Sequence, residues 1–450
     1  MRYSPFKIGL CIITALLLLF GMTFLSTSKR YGNGKSRDGF FIGKTTVKYP
    51  TTSSFLMRRS EDKVQIKSID SLVVNVEKII NVDDAKEETT TIKIPDLSKI
   101  DTSKVQRIAY PKNRNIFIKQ LYEDLTNGSC RIIHYGDSQL EGDRISAYLR
   151  NRLQGLYGGS GPGFVPIVQV YQQISANVTP SENWSRFAYF DPTQEKFAHK
   201  KYGIYSSLSR FTPAYEPVDS LLLESMKTTK ATITIGIPSK SYGLLKKFNK
   251  IGLHYGNTVT PTSIKVYNEG VQIKNEMLIN DGRYHKFGIE LPSTPSNLKI
   301  ELESKISPDF YGLTLDGESG ISLDNVAMRG SSGTVFAGTN GTNFQRMYQQ
   351  LQPKLLIFQY GGNSVPYIKD SLEVVEYASY LKNHIKWAQR KSNNANVIFI
   401  GPSDMTTTEN GQMKTFPLLP YLNETLKTVC NENGIAYWSM YDAMGGQNSM

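Results

Sequence analysis

The 450-residue chain carries 39% apolar and 11% aromatic residues and a formal charge of +12. That is enough apolar surface for two or three cored domains, which excludes a disordered chain. Its lysines and arginines are spread along the sequence without a basic helix or a zinc pattern, which argues against nucleic acid and leaves only weak attraction to anionic surfaces or glycans. The three cysteines, Cys11, Cys130 and Cys430, lie too far apart for a metal site or a disulfide framework, so Cys130 and Cys430 are expected as small buried residues.

Taken in chain order, Arg2 and Lys7 precede an apolar run from Ile8 to about Leu25, and Lys29 and Arg30 follow it. The run is near the ~20-residue length that crosses a bilayer, and no small-x-small cleavage site follows, so residues 1–27 read as an uncleaved transmembrane signal anchor. Basic residues at both ends leave its orientation open. Residues 28–105, rich in Lys, Thr, Ser and Asp with short apolar runs such as Leu72 to Val76, read as a low-complexity stalk.

A folded unit is expected from residue 106. Phe117, Ile118, Leu121, Tyr122 and Leu125 recur at helical spacing, Ile132 and Ile133 open a strand, and a second helix carries Ile145, Tyr148, Leu149, Leu153 and Leu156. The glycine run at 157–163 closes that helix and lacks a following Gly-Lys-Ser/Thr, so it reads as a tight loop, not a phosphate cradle. Between 166 and 319 the pattern shifts to short alternating segments: Ala231 to Ile237, Ile251 to Tyr255, Ser263 to Tyr267, Phe287 to Leu291 and Leu298 to Leu302. Such spacing predicts a β-sandwich.

Strand–helix alternation resumes in residues 320–450. Strand Leu355 to Gln359 is followed by a helix bearing Leu372, Val375, Ala378, Leu381 and Ile385. Strand Val397 to Ile400, a helix near Tyr421 to Cys430 and strand Ile435 to Trp438 complete the pattern. Buried strands separated by amphipathic helices predict a parallel sheet covered on both faces, an α/β three-layer domain of residues 106–165 and 320–450 that the sandwich interrupts. As an inserted unit, residues 166–319 should be removable with a soluble α/β domain left behind.

Two strand ends carry chemistry. Arg131-Ile-Ile-His-Tyr-Gly-Asp-Ser138 runs an apolar strand into a tight turn, which places the Ser138 hydroxyl at the carboxyl end of the sheet, where open α/β folds hold their ligands. Ser138 is then a nucleophile if a base takes its proton, or a plain helix cap. Leu355-Leu-Ile-Phe-Gln-Tyr-Gly-Gly-Asn363 is again strand into glycine turn, with Asn363 a side-chain donor or an Asx-turn residue.

With Met328-Arg-Gly-Ser-Ser-Gly333 between them, these segments resemble, in order, three blocks of the SGNH (GDSL) esterase superfamily. The similarity covers about Ile116 to Met450. It implies a flavodoxin-like parallel sheet, Ser138 as nucleophile, and an oxyanion hole from the amides of Ser138 and Gly330 and the side chain of Asn363; Gly333 competes with Gly330. Asp137 is implied as a structural acid. Ser364 stands where the family often has Asp. The string Gly136-Asp-Ser-Gln with Gly142-Asp143-Arg144 looks like the branch of cell-envelope polysaccharide O-acetylesterases and O-acetyltransferases, although a surface salt bridge also accounts for Asp143 and Arg144.

The family's fourth block is absent, for none of His134, His199, His254, His285 and His384 has Asp three positions earlier. The base is expected beyond Met450, with His134 the first alternative. The last strand lacks a closing helix, so apolar surface is expected bare around Ile435 and Trp438.

The resemblance implies no cofactor and no metal. It implies a polysaccharide substrate, an envelope location on the periplasmic or extracellular face, and a membrane-bound O-acyltransferase as a possible partner if the reaction is transfer. Trp184, Phe187, Tyr189 and Phe190 are either sugar-stacking aromatics or sandwich core. An inactive glycan-binding protein and an assembly component of polysaccharide export remain as alternatives.

Overall fold

The computed structural model describes residues 13–14, 19–30, 36–42, 45–49, 51–52, 105–213, 220–409 and 411–450. Two compact units are separated, 1–89 and 90–450. In the first, Thr27–Arg30, Ser36–Ile42 and Thr45–Lys48 form a three-stranded antiparallel sheet, strands that the reading of 28–105 as a stalk does not anticipate. Among the described residues no helix is long and apolar enough to cross a membrane. Half of the apolar run at 8–25, and the run Leu72 to Val76, lie outside the described residues.

The second unit is built on five strands: β1 (Cys130–Gly136), β2 (Ile321–Ala327), β3 (Pro353–Gln359), β4 (Asn396–Ile400) and β5 (Ala436–Trp438). They pair in the order β2-β1-β3-β4-β5, all parallel, the doubly wound arrangement with its switch point beside β1. Successive side chains leave opposite faces. Ile132, Leu355 and Ile357 pack with Leu121 and Leu125 of α1 (Arg114–Thr126) and with Leu149 and Leu153 of α2 (Arg144–Tyr157).

Ile133, Tyr135, Leu356, Phe358, Val397 and Phe399 face the other way, toward α3 (Gly341–Leu351), α4 (Ser371–Lys391) and α5 (Leu419–Glu432). Asp370 caps α4, its carboxylate accepting from the amides of Leu372 and Glu373 at 2.9 Å each. The buried face of α4 is Val374, Ala378, Leu381, Ile385 and Ala388, so the expected Leu372 and Val375 point to solvent.

Between β1 and β2 the chain makes two antiparallel sheets. One holds His285–Glu290, Lys250–Gly256, Asp309–Asp316, Ser207–Arg210 and Ser185–Ala188, with Gly163–Val165 paired to the Asp309–Asp316 strand. The other holds Val271–Met277, Thr262–Asn268, Asn297–Ser304, Thr229–Gly236 and Asn177–Pro180. Ile233, Ile235, Leu253, Ile264, Val266, Ile300, Phe310 and Leu313 fill the space between them. Trp184 belongs to this core, edge-on to Phe211 and Phe310, with its indole N–H donated to Thr232 O at 3.1 Å. Phe187, Tyr189 and Phe190 are half-buried against the α/β core. The group is therefore packing surface, and Trp184 offers no exposed platform for a sugar.

The sandwich is not a detachable module. Tyr202, Ile204, Tyr205, Leu208, Tyr284 and Tyr311 lie in one continuous buried cluster with Tyr135, Phe336, Phe344 and Met347 of the α/β domain. This corrects the expectation that residues 166–319 can be removed freely. Their deletion uncovers large aromatic surface on the α/β domain, and we expect the shortened chain to be insoluble or to bind a hydrophobic dye strongly. A monomeric, cooperatively melting deletion product would show the shared core to be dispensable.

The outer edge of the sheet is covered as well. Ala109 pairs with Tyr437 through both backbone bonds, at 2.7 and 2.8 Å, and Trp438 donates its indole N–H to Gln106 O at 3.1 Å. Ile435 is fully buried and Trp438 partly so. The segment leading into α1 thus closes the edge that the sequence leaves open, which corrects the expectation of bare apolar surface there. Cys130 and Cys430 are free and buried.

Candidate active site

Ala327, Gly136 and Gln359 stand side by side at the carboxyl ends of β2, β1 and β3. The three turns that follow meet there. At Gly136 a Cβ would come within 2.7 Å of Leu140 Cδ1 and 3.2 Å of Gln359 O, so a larger residue here would have to displace the buried Leu140 side chain. Asp137, not Ser138, caps the short 3₁₀ turn, its carboxylate accepting from the Gln139 amide at 2.9 Å. Ser138 is the first residue of that turn and is exposed. The helix-cap role, an alternative open at the level of sequence, is thus taken by its neighbour.

Asn363 joins the turns. Its Nδ2 donates to Ser331 O at 3.0 Å and to Asp137 Oδ2 at 3.2 Å. Gly361 adopts φ +124°, and a Cβ there would meet Pro402 at 3.0 Å, so the turn is restricted to glycine. Ser364, where the resembling family often has Asp, donates its hydroxyl to Gly361 O at 2.7 Å and closes the turn. Burial pushes the Asp137 carboxyl above the ordinary carboxylate range, and the bond from Gln139 N pulls it partly back.

The two glycines after β2 differ. Gly333 donates its amide to Ser331 Oγ at 3.1 Å and lies against Tyr360 and Leu381. Gly330 is exposed, in the left-handed region at φ +75°, beside Arg329, whose guanidinium grips Glu141 at 2.5 to 3.1 Å. Of the two amides, the one at 333 is already committed within the protein.

Sequence reasoning does not find the support around the turn. Gln359 Nε2 donates to Gln139 Oε1 at 3.0 Å, and Gln139 Nε2 donates to Ser403 Oγ at 3.2 Å. The next residue, Asp404, is fully buried and accepts from Thr415 Oγ1 and from the amides of Ser449 and Met450, at 2.8, 2.9 and 3.1 Å. The backbone at Met450 is thus held to the same loop that touches the Ser138 turn. Asp143 forms no surface bridge with Arg144. It is buried and paired with Arg150, at 2.8 and 3.2 Å, a correction whose signal, an Asp–Arg pair two helical turns apart, is too common to single out.

No histidine of the five serves Ser138. His134 is fully buried, with Nδ1 bonded to Ser146 Oγ at 3.1 Å and Nε2 to Gln359 Oε1 at 3.2 Å. His384 Nδ1 accepts from Ala337 N at 3.2 Å, and His254 sits between Tyr284 OH and Thr314 Oγ1 at 2.8 and 3.0 Å. His199 lies on Phe197, 3.5 Å from Asp309, and His285 meets Asp281 at 2.8 Å. This corrects the expectation that His134 is the alternative base.

Burial pushes the His134 imidazole down to about 4. Its neutral form is favoured in the fold, so the stability it contributes is present at neutral pH. That contribution is lost as pH falls from the unfolded value of roughly 6.5 through 4. Ring-nitrogen NMR should show His134 neutral at pH 5; a protonated ring there would overturn the buried assignment.

No protein-family model matches the chain, and no curated protein does. The parallel sheet in this order, with turns built at three adjacent strand ends, is a fold found among solved structures. Its likeness is to a solved structure of a peptidoglycan O-acetylesterase, 18% identical over 75% of this chain and 87% of that one, with a TM-score of 0.54. A family two carbohydrate esterase from Clostridium thermocellum in complex with cellohexaose (9% identity, 48% and 82% covered) and a putative GDSL-like lipase from Bacteroides ovatus (9%, 61% and 89%) reach TM-scores of only 0.20 each. Of these three, the first bears on the fold.

Proposed function

We propose that this protein carries out serine-dependent O-acetyl ester chemistry on an exported or cell-wall polysaccharide. The observation that carries the reading is the pair of hydrogen bonds that Asn363 Nδ2 donates to Ser331 O and Asp137 Oδ2, which ties the turns after β1, β2 and β3 into one site. A fold shared with a peptidoglycan O-acetylesterase supports the substrate class.

In this reading Ser138 Oγ attacks the acetyl carbonyl carbon and its proton passes to a base. The carbonyl oxygen becomes an oxyanion that takes the amides of Ser138 and Gly330 and one N–H of Asn363. Asn363 then gives up its longer bond to Asp137 while keeping Ser331. Collapse expels the sugar oxygen, which recovers the proton, and leaves acetyl-Ser138. Water completes hydrolysis, whereas a second sugar hydroxyl completes transfer, with a membrane-bound O-acyltransferase as the fitting partner. No cofactor or metal is required.

The base is proposed to come from residues after Met450, a place made suitable by the hold of Asp404 on Ser449 and Met450 beside Ser403. The run Ile8 to Leu25 is proposed, on length and flanking charge, to anchor the protein at the outer face of a bacterial envelope; release by alkaline carbonate would count against it. The test of function is acetate release from an O-acetylated glycan by this chain and by one extended through the downstream reading frame. We expect the extended form to be faster by orders of magnitude and its Ser138 peptide to be trapped one acetyl group heavier. A second reading, a glycan-binding or export-assembly protein without turnover, is favoured by the engagement of all five histidines elsewhere. Glycan binding with no acetate released by the extended form would establish it.

A further inference from the structure

A narrow cavity opens between the carboxyl end of β2 and the sandwich, lined by Glu141, Gln169, Tyr171, Gln173, Arg186 and Tyr205 among others. It adjoins the site just described, since Glu141 lies three residues beyond Ser138 and holds Arg329, the neighbour of Gly330. Three of its lining residues carry buried polar atoms with no hydrogen-bond partner among the described residues: Arg186 Nε, Gln173 Oε1 and Tyr205 OH. Buried polar groups in folded proteins are nearly always satisfied, so the Arg186 Nε–H in particular calls for an acceptor that arrives from outside.

One cation of the lining has no ion pair. Arg329 holds Glu141 through Nε and Nη2 and lies 4.6 Å from the Tyr171 ring. Asp191 is occupied by the amide and hydroxyl of Thr193 at 2.9 and 2.7 Å. Arg186 keeps only the face of Phe190, at 5.6 Å, and has no ion pair among the described residues. Its guanidinium is driven below the usual arginine range by burial, which marks a cation held away from water.

We propose that this cavity receives the carboxylate of an acidic sugar next to the acetylated residue, paired with Arg186, whose buried Nε–H lacks a partner. The proposal rests on the reading of Ser138 as a polysaccharide acetyl-ester site and narrows its substrate to acidic glycans. The free space of about 40 Å³ admits a few waters or a single carboxylate, given that roughly 10–15 Å³ by this measure holds one water, and it excludes a pyranose ring. The ring would remain outside, toward Ser138, and its acidic substituent would enter.

The test is binding, read with the Ser138→Ala protein so that no turnover is needed. The probes are an O-acetylated oligogalacturonate and the same oligosaccharide with its carboxylates reduced to alcohols. We expect the acidic probe to bind at least tenfold more tightly, the preference to vanish in Arg186→Leu, and Arg186→Lys to retain most of it. Equal binding of the two probes, or a preference that survives Arg186→Leu, overturns the proposal. Should Arg186→Leu fail to fold, the comparison of probes on the parent protein and on Arg186→Lys still decides. Acetate release by the Ser138 form is measured separately, so loss of the esterase reading and loss of the carboxylate subsite give different results.

Discussion

Ser138→Ala should reduce acetate release by roughly 10⁴- to 10⁶-fold in the active form of the protein, as loss of a nucleophile that works with a base does elsewhere. The substitution should leave the melting temperature unchanged, because Ser138 is exposed and Asp137, not Ser138, caps the turn. Asn363→Ala removes one oxyanion donor and should cost about 10²- to 10³-fold. It differs in kind, since it also leaves Ser331 O and Asp137 Oδ2 without their shared partner and should lower stability as well. The pair therefore separates chemistry from architecture: one variant loses rate alone, the other both. Wild-type turnover in Ser138→Ala would remove the serine from the mechanism, whatever the fold resembles.

What the sequence discloses and what it hides follow from different physics. Four of the five parallel strands are legible because buried strands read as apolar runs, whereas Ile321–Ala327, broken by Asp324 and Asn325, is not; five of the sandwich strands fall within one or two residues of the alternating segments, as with Ile251 to Tyr255 inside Lys250–Gly256. The turn residues are legible because glycine, Asp, Ser and Asn follow the strand ends at fixed offsets.

Helix α2 shows the limit. Its apolar pattern picks out Tyr148 and Leu156, which are exposed, while Ser146, Ala147, Arg150 and Gln154 are buried. A polar buried face has no hydrophobic period, so nothing in the pattern reveals it. Gln154, for example, donates to Gly161 O and Ile321 O at 3.0 and 3.1 Å, joining the glycine loop to β2. The shared core of sandwich and α/β domain is hidden for another reason. Tyr202, Tyr284 and Tyr311 look like ordinary sandwich residues until their long-range neighbours are known. The support through Gln139, Gln359 and Ser403 likewise joins residues more than two hundred positions apart.

The largest stability effect should come from the buried pair beneath the Ser138 turn. Arg150 is fully buried and donates through Nε to Leu323 O at 2.6 Å, to Asp143 through both terminal nitrogens, and to Ser175 Oγ at 3.4 Å; Ser175 in turn donates to Asp143. Such a pair is costly to desolvate, so its presence says little about net stability, whereas removing one partner strands the other charge at a cost of about 3–5 kcal/mol. That is a large share of the roughly 5–15 kcal/mol that holds a typical protein together.

Arg150→Leu should therefore fold poorly or melt many degrees lower. Asp143→Asn is the sharper test. Asp143 sits in the left-handed region at φ 64°, which Asn also tolerates, so the change removes charge with little backbone penalty. We expect Asp143→Asn to lower the denaturation midpoint strongly, and the double variant Asp143→Asn with Arg150→Met to recover part of the loss, because no buried charge then remains. Because Ile174 N is bonded to Gly142 O at 3.1 Å, loosening the pair also frees the loop that carries Tyr171 and Gln173. Binding at the Arg186 cavity should weaken together with stability. Independent single-mutant effects, with no recovery in the double variant, would show that the two charges do not act as a pair.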